Sequence, residues 1–241
     1  MEKIILASNS PRRREILGDF IDFEIITREI NEVKDDAFSP WTTVMGLAFG
    51  KGIEVAKENE DAIVLSADTL VELDGKLLGK PMDRNEARDM IRSLSGKTHN
   101  VFTGYAIFKL SKGIKYVDFE KSSVKFYDLS DEEIENYLDT LEYKDKAGAY
   151  GIQGKGSLLV EEIQGDFFNI VGLPIGKINR DLIKLFNFNL WWWIFNGDLN
   201  ERERFWKVHY KGNASRWEAP RETNQVWARL SFQCRAPCPY H

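Results

Sequence analysis

Short apolar runs alternate with amphipathic segments through residues 1–187, and this alternation predicts strands followed by helices. The first apolar run, residues 4–7, precedes Ser10 and Pro11, which are typical of a helix start. Further on the pattern predicts strands at 62–67, 70–73, 76–78, 101–108, 116–127, 158–160 and 168–171, and helices at 83–93, 130–141 and 174–186. Parallel crossovers and hairpins are both implied, so the expected fold class is α/β, with a mixed β-sheet flanked by helices.

Polar residues and glycines punctuate these elements at fixed offsets. Asp83 with Glu86, and Ser130 with Glu133, have the spacing of capping boxes and predict two helix starts. The dipeptide 74–75, Asp-Gly, lies between two apolar stretches and predicts a tight hairpin. Residues 1–187 are therefore expected to form one domain.

The sequence changes character after residue 187. Six of the seven tryptophans and both cysteines lie in residues 188–241. From Asn189 onward there are eight Lys or Arg against five Asp or Glu, and no regular hydrophobic period is sustained. We interpret this tail as an appended or read-through segment, with a small partner-binding extension as the alternative. Cys234, Cys238 and His241 are three candidate ligands without a second pair, which is only a weak metal signal.

Composition excludes several classes of protein. The chain contains no run of 18 apolar residues, so no membrane span is expected. The charged start and the early arginines are unlike a signal peptide, and the few cysteines favour a reducing compartment, so we expect a cytoplasmic protein without a membrane partner. The net charge of −5 argues against nucleic acid as the partner and leaves a small anionic ligand open.

The first candidate site is the segment 8–14, Ser-Asn-Ser-Pro-Arg-Arg-Arg, between a predicted strand and a predicted helix. Backbone N–H groups at a helix start attract anions, and guanidinium groups add donors that match phosphate oxygens. Arginine in a first helical turn opposes the helix dipole unless an anion is bound there. A solvated basic turn is the alternative.

The second candidate is Asp68, in Ser-Ala-Asp-Thr just after a predicted buried strand. Ligands of open α/β sheets collect beyond the carboxyl ends of strands, where a carboxylate binds a metal or activates water. The alternative is a turn Asp at the strand end. Lys80, on the turn Gly-Lys-Pro, is suited to a phosphate and equally to solvent exposure.

The third candidate is the glycine-rich segment 145–154. Its small residues allow close approach of the backbone to a flat ligand, and Gln153 offers the donors and acceptor that read the edge of a nucleobase. A flexible surface loop is the alternative. From the residues alone, the chain is an α/β protein with an anion site.

Three separated blocks, in order, resemble the Maf family of nucleoside triphosphate pyrophosphatases over about residues 3–186. They are the segment 6–13, then 67–69 with 78–81 and 94–99, and finally 145–154 with 165–169 and 172–174. The resemblance implies the inosine triphosphatase-like fold, with two lobes around a cleft. It also implies hydrolysis of a nucleoside triphosphate to monophosphate and pyrophosphate, and it does not extend to the tail.

The resemblance also assigns roles to individual residues. It implies Asp68 as the proton acceptor and as a metal ligand together with Glu32. The positions that it associates with the substrate are Ser8, Arg12, Arg13, Lys51, Thr69, Lys80 and Gln153, of which Arg12, Thr69 and Gln153 are tied to selectivity. Gly50 and Gly52 depart from the alanine-rich helix usual around Lys51. The expected cofactor is a divalent cation, Mg²⁺ with Mn²⁺ as the alternative, since an oxygen-rich site selects hard cations.

With Gln at position 153, the sequence resembles the branch of the family that acts on dTTP and UTP, because the branch that acts on 7-methyl-GTP typically has an acidic residue at this position. A neutral amide pairs with the O4 and N3–H edge of uracil or thymine. The alternatives are the same chemistry on another nucleotide, such as 7-methyl-GTP or a modified pyrimidine, and a non-enzymatic protein that binds nucleic acid or a division component. A homodimer is left open.

Overall fold

A seven-stranded mixed sheet carries helices packed against it in the computed structural model, which describes residues 2–29 and 38–191. The strands are β1 (Ile4–Leu6), β2 (Glu24–Ile25), β3 (Ile63–Leu73), β4 (Lys76–Leu78), β5 (Thr98–Lys109), β6 (Ile114–Phe126) and β7 (Val160–Gln164). The helices are α1 (Pro11–Gly18), α2 (Pro40–Glu58), α3 (Arg84–Leu94), α4 (Asp131–Asp139), α5 (Phe167–Val171) and α6 (Ile175–Phe186).

The sheet combines a parallel and an antiparallel half, in the order β2-β1-β3-β5-β6-β7 with β4 paired to β3. Strands β2, β1 and β3 are parallel, and every other pairing is antiparallel. All three residues of β1 are buried, since helices cover both faces there. Ile4 and Leu6 pack in one apolar cluster and Ile5 in another. The expected α/β class with a mixed sheet is confirmed.

Strand β3 differs from the sequence prediction, which ended a strand at residue 67 and put Asp68 beyond it. The strand is continuous from Ile63 to Leu73 because β5 pairs with it along the whole interval. Asp68 lies opposite Gly104. Both readings of Asp68 as a residue past the strand end are therefore wrong: it is held in the middle of the ladder.

The predicted strand pair around residues 164–166 is also wrong. The first strand begins at Val160, joins the sheet beside β6 and ends at Gln164. The second is a short helix, α5. Gly165, with φ 112°, turns the chain, and the Asp166 side chain accepts a hydrogen bond from the N–H of Phe168 and thereby starts the helix.

Two glycines let helix α2 lie directly on the sheet. A Cβ at Gly104 of β5 would lie 2.4 Å from the carbonyl carbon and oxygen of Val44 in α2. A Cβ at Gly52 would lie 2.4 Å from the Phe108 ring. The glycine at position 52, which departs from the alanine-rich family pattern, therefore accommodates Phe108 and keeps α2 close enough for Lys51 to reach β3.

The last helix and one of the two predicted capping boxes agree with the sequence, since Ser130 and Glu133 cap α4 reciprocally. At the start of α3, Asp83 accepts a hydrogen bond from the N–H of Glu86, but the Glu86 carboxylate accepts from the N–H of Met82 and not of Asp83, so the second predicted box is only half formed. Beyond α6, Leu190 is 3% exposed and its N–H donates to Asn179 at 2.9 Å. The domain boundary predicted at residue 187 stays a prediction. Residues 192–241, which include the candidate metal ligands Cys234, Cys238 and His241, lie outside the described residues.

None of the helices in residues 2–29 and 38–191 is long and apolar enough to cross a membrane.

The contact between α2 and β5 predicts an unequal response to two glycine substitutions. Gly104→Ala should lower the free energy of unfolding by about 1–3 kcal/mol, because backbone atoms of Val44 must shift. Gly46→Ala, on the exposed face of α2 with nothing within 4 Å, should be neutral or stabilising. Urea denaturation of both variants checks this, and equal effects would contradict the packing argument.

Candidate active site

A single cleft of about 1460 Å³ gathers the candidate residues that are far apart in the sequence. Its walls come from the β1–α1 turn, the middle of β3, the turn after β4, the segment 142–154 and the end of α5. The sequence-predicted residues that line it are Ser8, Arg12, Arg13, Lys51, Asp68, Thr69, Lys80 and Gln153. Glu32, the second proposed metal ligand, lies outside the described residues.

Asp68 and Lys51 form an ion pair in the cleft. The Lys51 ammonium, on α2, donates to Oδ1 of Asp68 on β3. The Lys51 side chain is 23% exposed and the Asp68 side chain 14%, so the pair is partly shielded from water. The arrangement puts a carboxylate next to a compact positive charge, as a reaction that moves both a proton and phosphate charge requires.

Arg13 is held by three uncharged oxygens. Its Nε donates to the carbonyl of Gly172 at 2.8 Å, Nη1 to Ser8 Oγ at 3.2 Å and Nη2 to Thr69 Oγ1 at 3.0 Å. Burial lowers the pKa of this guanidinium, an effect that Asp68 partly offsets and Arg12 reinforces. A partly buried cation whose hydrogen bonds go to neutral groups is suited to bind an anion.

Arg12 adds a second guanidinium to the same end of the cleft. Burial lowers its pKa, and nearby Tyr137 opposes this. Its Nε is buried without a hydrogen-bond partner among the residues that the structure describes. Of the arginines at the start of α1, Arg12 and Arg13 therefore both line the cleft, while anion binding by them stays a prediction. Arg14 is different, since it donates to Asn9 at 3.0 Å and is not among the residues that line the cleft.

Hydrogen bonds of Tyr150 and Gly151 hold the segment that carries Gln153. Tyr150 shares a hydrogen bond of 2.8 Å with Nε2 of buried His99, and the N–H of Gly151 donates to Tyr137 at 3.2 Å. A Cβ at Gly154 would lie 2.4 Å from the Glu142 carboxylate. These contacts fix the backbone on both sides of Gln153, so the segment is a structured wall of the cleft.

Sequence reasoning missed three cleft-forming groups. Lys146 lines the cleft, and burial together with Arg12 lowers its pKa. The carbonyl of Gly172 holds Arg13, and Thr103 of β5 lies behind Thr69. Lys146 and Gly172 lay within the family blocks and were available as signals. Thr103 was not, since only the pairing of β3 with β5 brings it to the site.

The fold and the cleft define a class of protein: an α/β protein with a cationic cleft around a strand-borne carboxylate, suited to a ligand that bears phosphates. Residues 3–185 match the family model of the Maf-like proteins. The chain belongs to the Maf family.

The match with curated relatives spans nearly the whole length of those relatives. A protein of Clostridioides difficile (strain 630), named dTTP/UTP pyrophosphatase, is 52% identical over 190 residues, which are 78% of this chain and 98% of that protein. A Bacillus cereus (strain G9842) protein of the same name is 49% identical over 183 residues, 76% of this chain and 95% of that one. The solved Staphylococcus aureus Ham1 protein is far more distant, with 13% identity and a TM-score of 0.40 over 53% of this chain and 73% of that chain.

Buried His99 predicts a loss of stability in mild acid. Burial lowers its pKa from 6.5 to about 4, so between these values the unfolded chain binds a proton that the folded chain does not. Stability is therefore complete above pH 6.5 and falls with decreasing pH, by about 2 kcal/mol at pH 5. Urea unfolding at pH 7.5 and pH 5 of the parent and of His99→Gln measures this. The parent should lose more stability than the variant, and equal losses would show that His99 is not responsible.

Proposed function

We propose that this chain hydrolyses dTTP and UTP to the nucleoside monophosphate and pyrophosphate. The observation that carries the proposal is that one cleft contains the Asp68 carboxylate together with Arg12 and Arg13, which form no hydrogen bond to a carboxylate among the described residues. Relatives that match over 76–78% of this chain carry the name dTTP/UTP pyrophosphatase. The enzyme class is then a hydrolase that acts on acid anhydrides.

The chemical step needs a base and a charge-stabilising surround. Water attacks the α-phosphorus, the bond from that phosphorus to the bridging oxygen breaks, and pyrophosphate leaves with the bond's electron pair. Asp68 accepts the proton of the attacking water. Lys51, which already contacts Asp68, lies where it can stabilise the charge on the phosphate oxygens once the substrate separates the pair.

The cations of the cleft distribute along the triphosphate. Arg13 offers planar, forked donors, and Arg12 offers a second guanidinium beside it. Lys80, on the turn between β4 and α3, is an exposed residue of the cleft and is suited to the terminal phosphates. Together these groups favour the leaving pyrophosphate, which carries the largest negative charge in the reaction.

The donor set fits a divalent cation that arrives with the substrate. In residues 2–29 and 38–191 no group of three or more His, Cys, Asp or Glu could hold a metal ion by itself. Mg²⁺ is commonly bound by one or two carboxylates together with substrate phosphates, and Asp68 supplies one such carboxylate. Glu32 is the second carboxylate that the family resemblance implies. A cation held there would stabilise negative charge on the phosphate oxygens.

Gln153 is proposed to read the base. Its amide donates to O4 and accepts from N3–H of uracil or thymine, whereas a carboxylate at this position has no donor for O4. The anchored backbone on either side keeps the amide at the cleft wall. This is the basis for favouring pyrimidines over 7-methyl-GTP.

A panel of nucleoside triphosphates tests the proposal. The full chain with Mg²⁺ should release pyrophosphate from dTTP and UTP faster than from CTP, GTP, ATP and 7-methyl-GTP. Release of single phosphates, or equal rates for all bases, would contradict it.

Asp68→Asn should lower kcat by about 10²- to 10⁴-fold, because it removes the proton acceptor and keeps the shape of the side chain. The melting temperature should change little, since the amide still accepts a hydrogen bond from Lys51. Asp74→Asn, in the exposed hairpin turn, is the matched control and should leave the rate unchanged. If Asp68→Asn retains turnover within a few-fold, the mechanism is wrong.

Gln153→Glu should lower kcat/KM for dTTP and UTP by about tenfold or more relative to the purine nucleotides, since the base loses its donor at O4. Gln164→Glu, the same change on an exposed residue of β7, should not alter the ratio. Steady-state kinetics across the panel measure it, and an unchanged ratio in Gln153→Glu would remove this residue from base recognition.

A further inference from the structure

A chain of hydrogen bonds runs from the cleft into the protein behind Arg13. Nη2 of Arg13 donates to Thr69 Oγ1 at 3.0 Å, and Thr69 Oγ1 lies 2.9 Å from Thr103 Oγ1. Thr103 in turn donates to the main-chain carbonyl of Asn169 at 2.8 Å. Thr69 lines the cleft, whereas Thr103 is 0% exposed on β5, directly opposite Thr69.

Counting hydrogens fixes the direction of this chain. The Asn169 carbonyl can only accept, so the single hydroxyl hydrogen of Thr103 is used there. At the contact between the two threonines, Thr69 must therefore donate and Thr103 accept. The hydroxyl of Thr69 then has no hydrogen left, and its lone pairs face Arg13 and the cleft. Toward Arg13 and the cleft, Thr69 can therefore act only as an acceptor.

Buried hydrogen bonds hold Asn169 at the far end of this hydrogen-bond chain. Asn169 is 0% exposed, and its side-chain amide donates to the Val101 carbonyl at 3.0 Å and to Ser122 Oγ at 2.9 Å. Three residues further along, the carbonyl of Gly172 accepts from Nε of Arg13. The two ends of the network are thus carbonyls at the C-terminal end of α5, where helical carbonyls lack partners within the helix.

We infer that Thr103 is a positioning residue for the triphosphate site: through Thr69 it fixes the orientation of Arg13. Three of the five N–H groups of Arg13 are donated to protein oxygens, which leaves one on each terminal nitrogen for phosphate oxygens. A valine would match the shape of Thr103 and suit the strand equally well, so only this network needs the hydroxyl. The inference rests on the proposed function.

Variants at position 103 separate positioning from packing. Thr103→Val removes the hydroxyl and keeps the shape, so Thr69 loses its acceptor and can turn its hydrogen toward Arg13. We expect KM for dTTP and the dissociation constant of inorganic pyrophosphate to rise about tenfold, with a smaller change in kcat. Thr103→Ser, which keeps the hydroxyl, should restore both values to within about threefold of the parent.

If Thr103→Val does not fold, the pair Thr103→Ser and Thr103→Ala replaces it, because these variants differ only by the hydroxyl. In addition, Thr69→Val and the double variant Thr69→Val/Thr103→Val should bind pyrophosphate equally, since Thr103 acts through Thr69. Calorimetric titration of the full chain with inorganic pyrophosphate measures these affinities without turnover. A parent that binds pyrophosphate but does not hydrolyse dTTP would refute the proposed function alone.

Three results would overturn the positioning role. The first is a Thr103→Val protein, or a Thr103→Ala protein where the valine variant does not fold, with a lowered urea midpoint but unchanged KM and pyrophosphate affinity. The second is failure of Thr103→Ser to restore affinity. The third is a parent chain that does not bind pyrophosphate.

Discussion

The interaction on which the rest of the site depends is a guanidinium group whose hydrogen bonds, among the residues that the structure describes, go to neutral oxygens. Arg13 satisfies three donors on Ser8, Thr69 and Gly172, while burial penalises its charge. Such a group is costly in a folded protein unless an anion completes its coordination. The arginines at the start of α1 do not favour the helix dipole, and its first turn has no acidic residue, so the proposed anion site is the interpretation that accounts for them.

The fold provides this arrangement by bringing three remote parts of the chain to one strand. Asp68 and Thr69 are successive residues of β3, α2 brings Lys51 to Asp68, and the carbonyl of Gly172 after α5 accepts a hydrogen bond from Arg13. The close approach of α2 depends on Gly104, where a side chain would meet the backbone of the helix. Packing and the site are therefore coupled, because the spacing between helix and sheet also sets the distance between the Asp68 carboxylate and the Lys51 ammonium.

The sequence predicted the α/β class, the capping box of α4 and the segments around Arg12, Asp68 and Gln153 because these depend on local patterns, whereas Lys51 was implied only by the family resemblance. It misplaced Asp68, since the polar Ser66 and Asp68 interrupt an apolar run and the long ladder with β5 is a non-local contact. It read residues 168–171 as a strand because a short apolar run has no period that distinguishes a strand from one helical turn. Thr103 was not predictable at all, because a β-branched residue in a buried strand gives no sign of its partner on the next strand.

The central claim is that Arg13 is kept for the phosphates of the substrate, and ligand-induced stabilisation tests it most directly. Thermal unfolding of the full chain is measured with and without the non-hydrolysable α,β-methylene analogue of dTTP, in the presence of Mg²⁺. The parent and Arg180→Met, a control on the exposed face of α6, should both melt at a higher temperature with the analogue. Arg13→Met should lose most of that increase. If Arg13→Met is stabilised as much as the parent, the account of the cleft as an anion site organised by Arg13 is wrong.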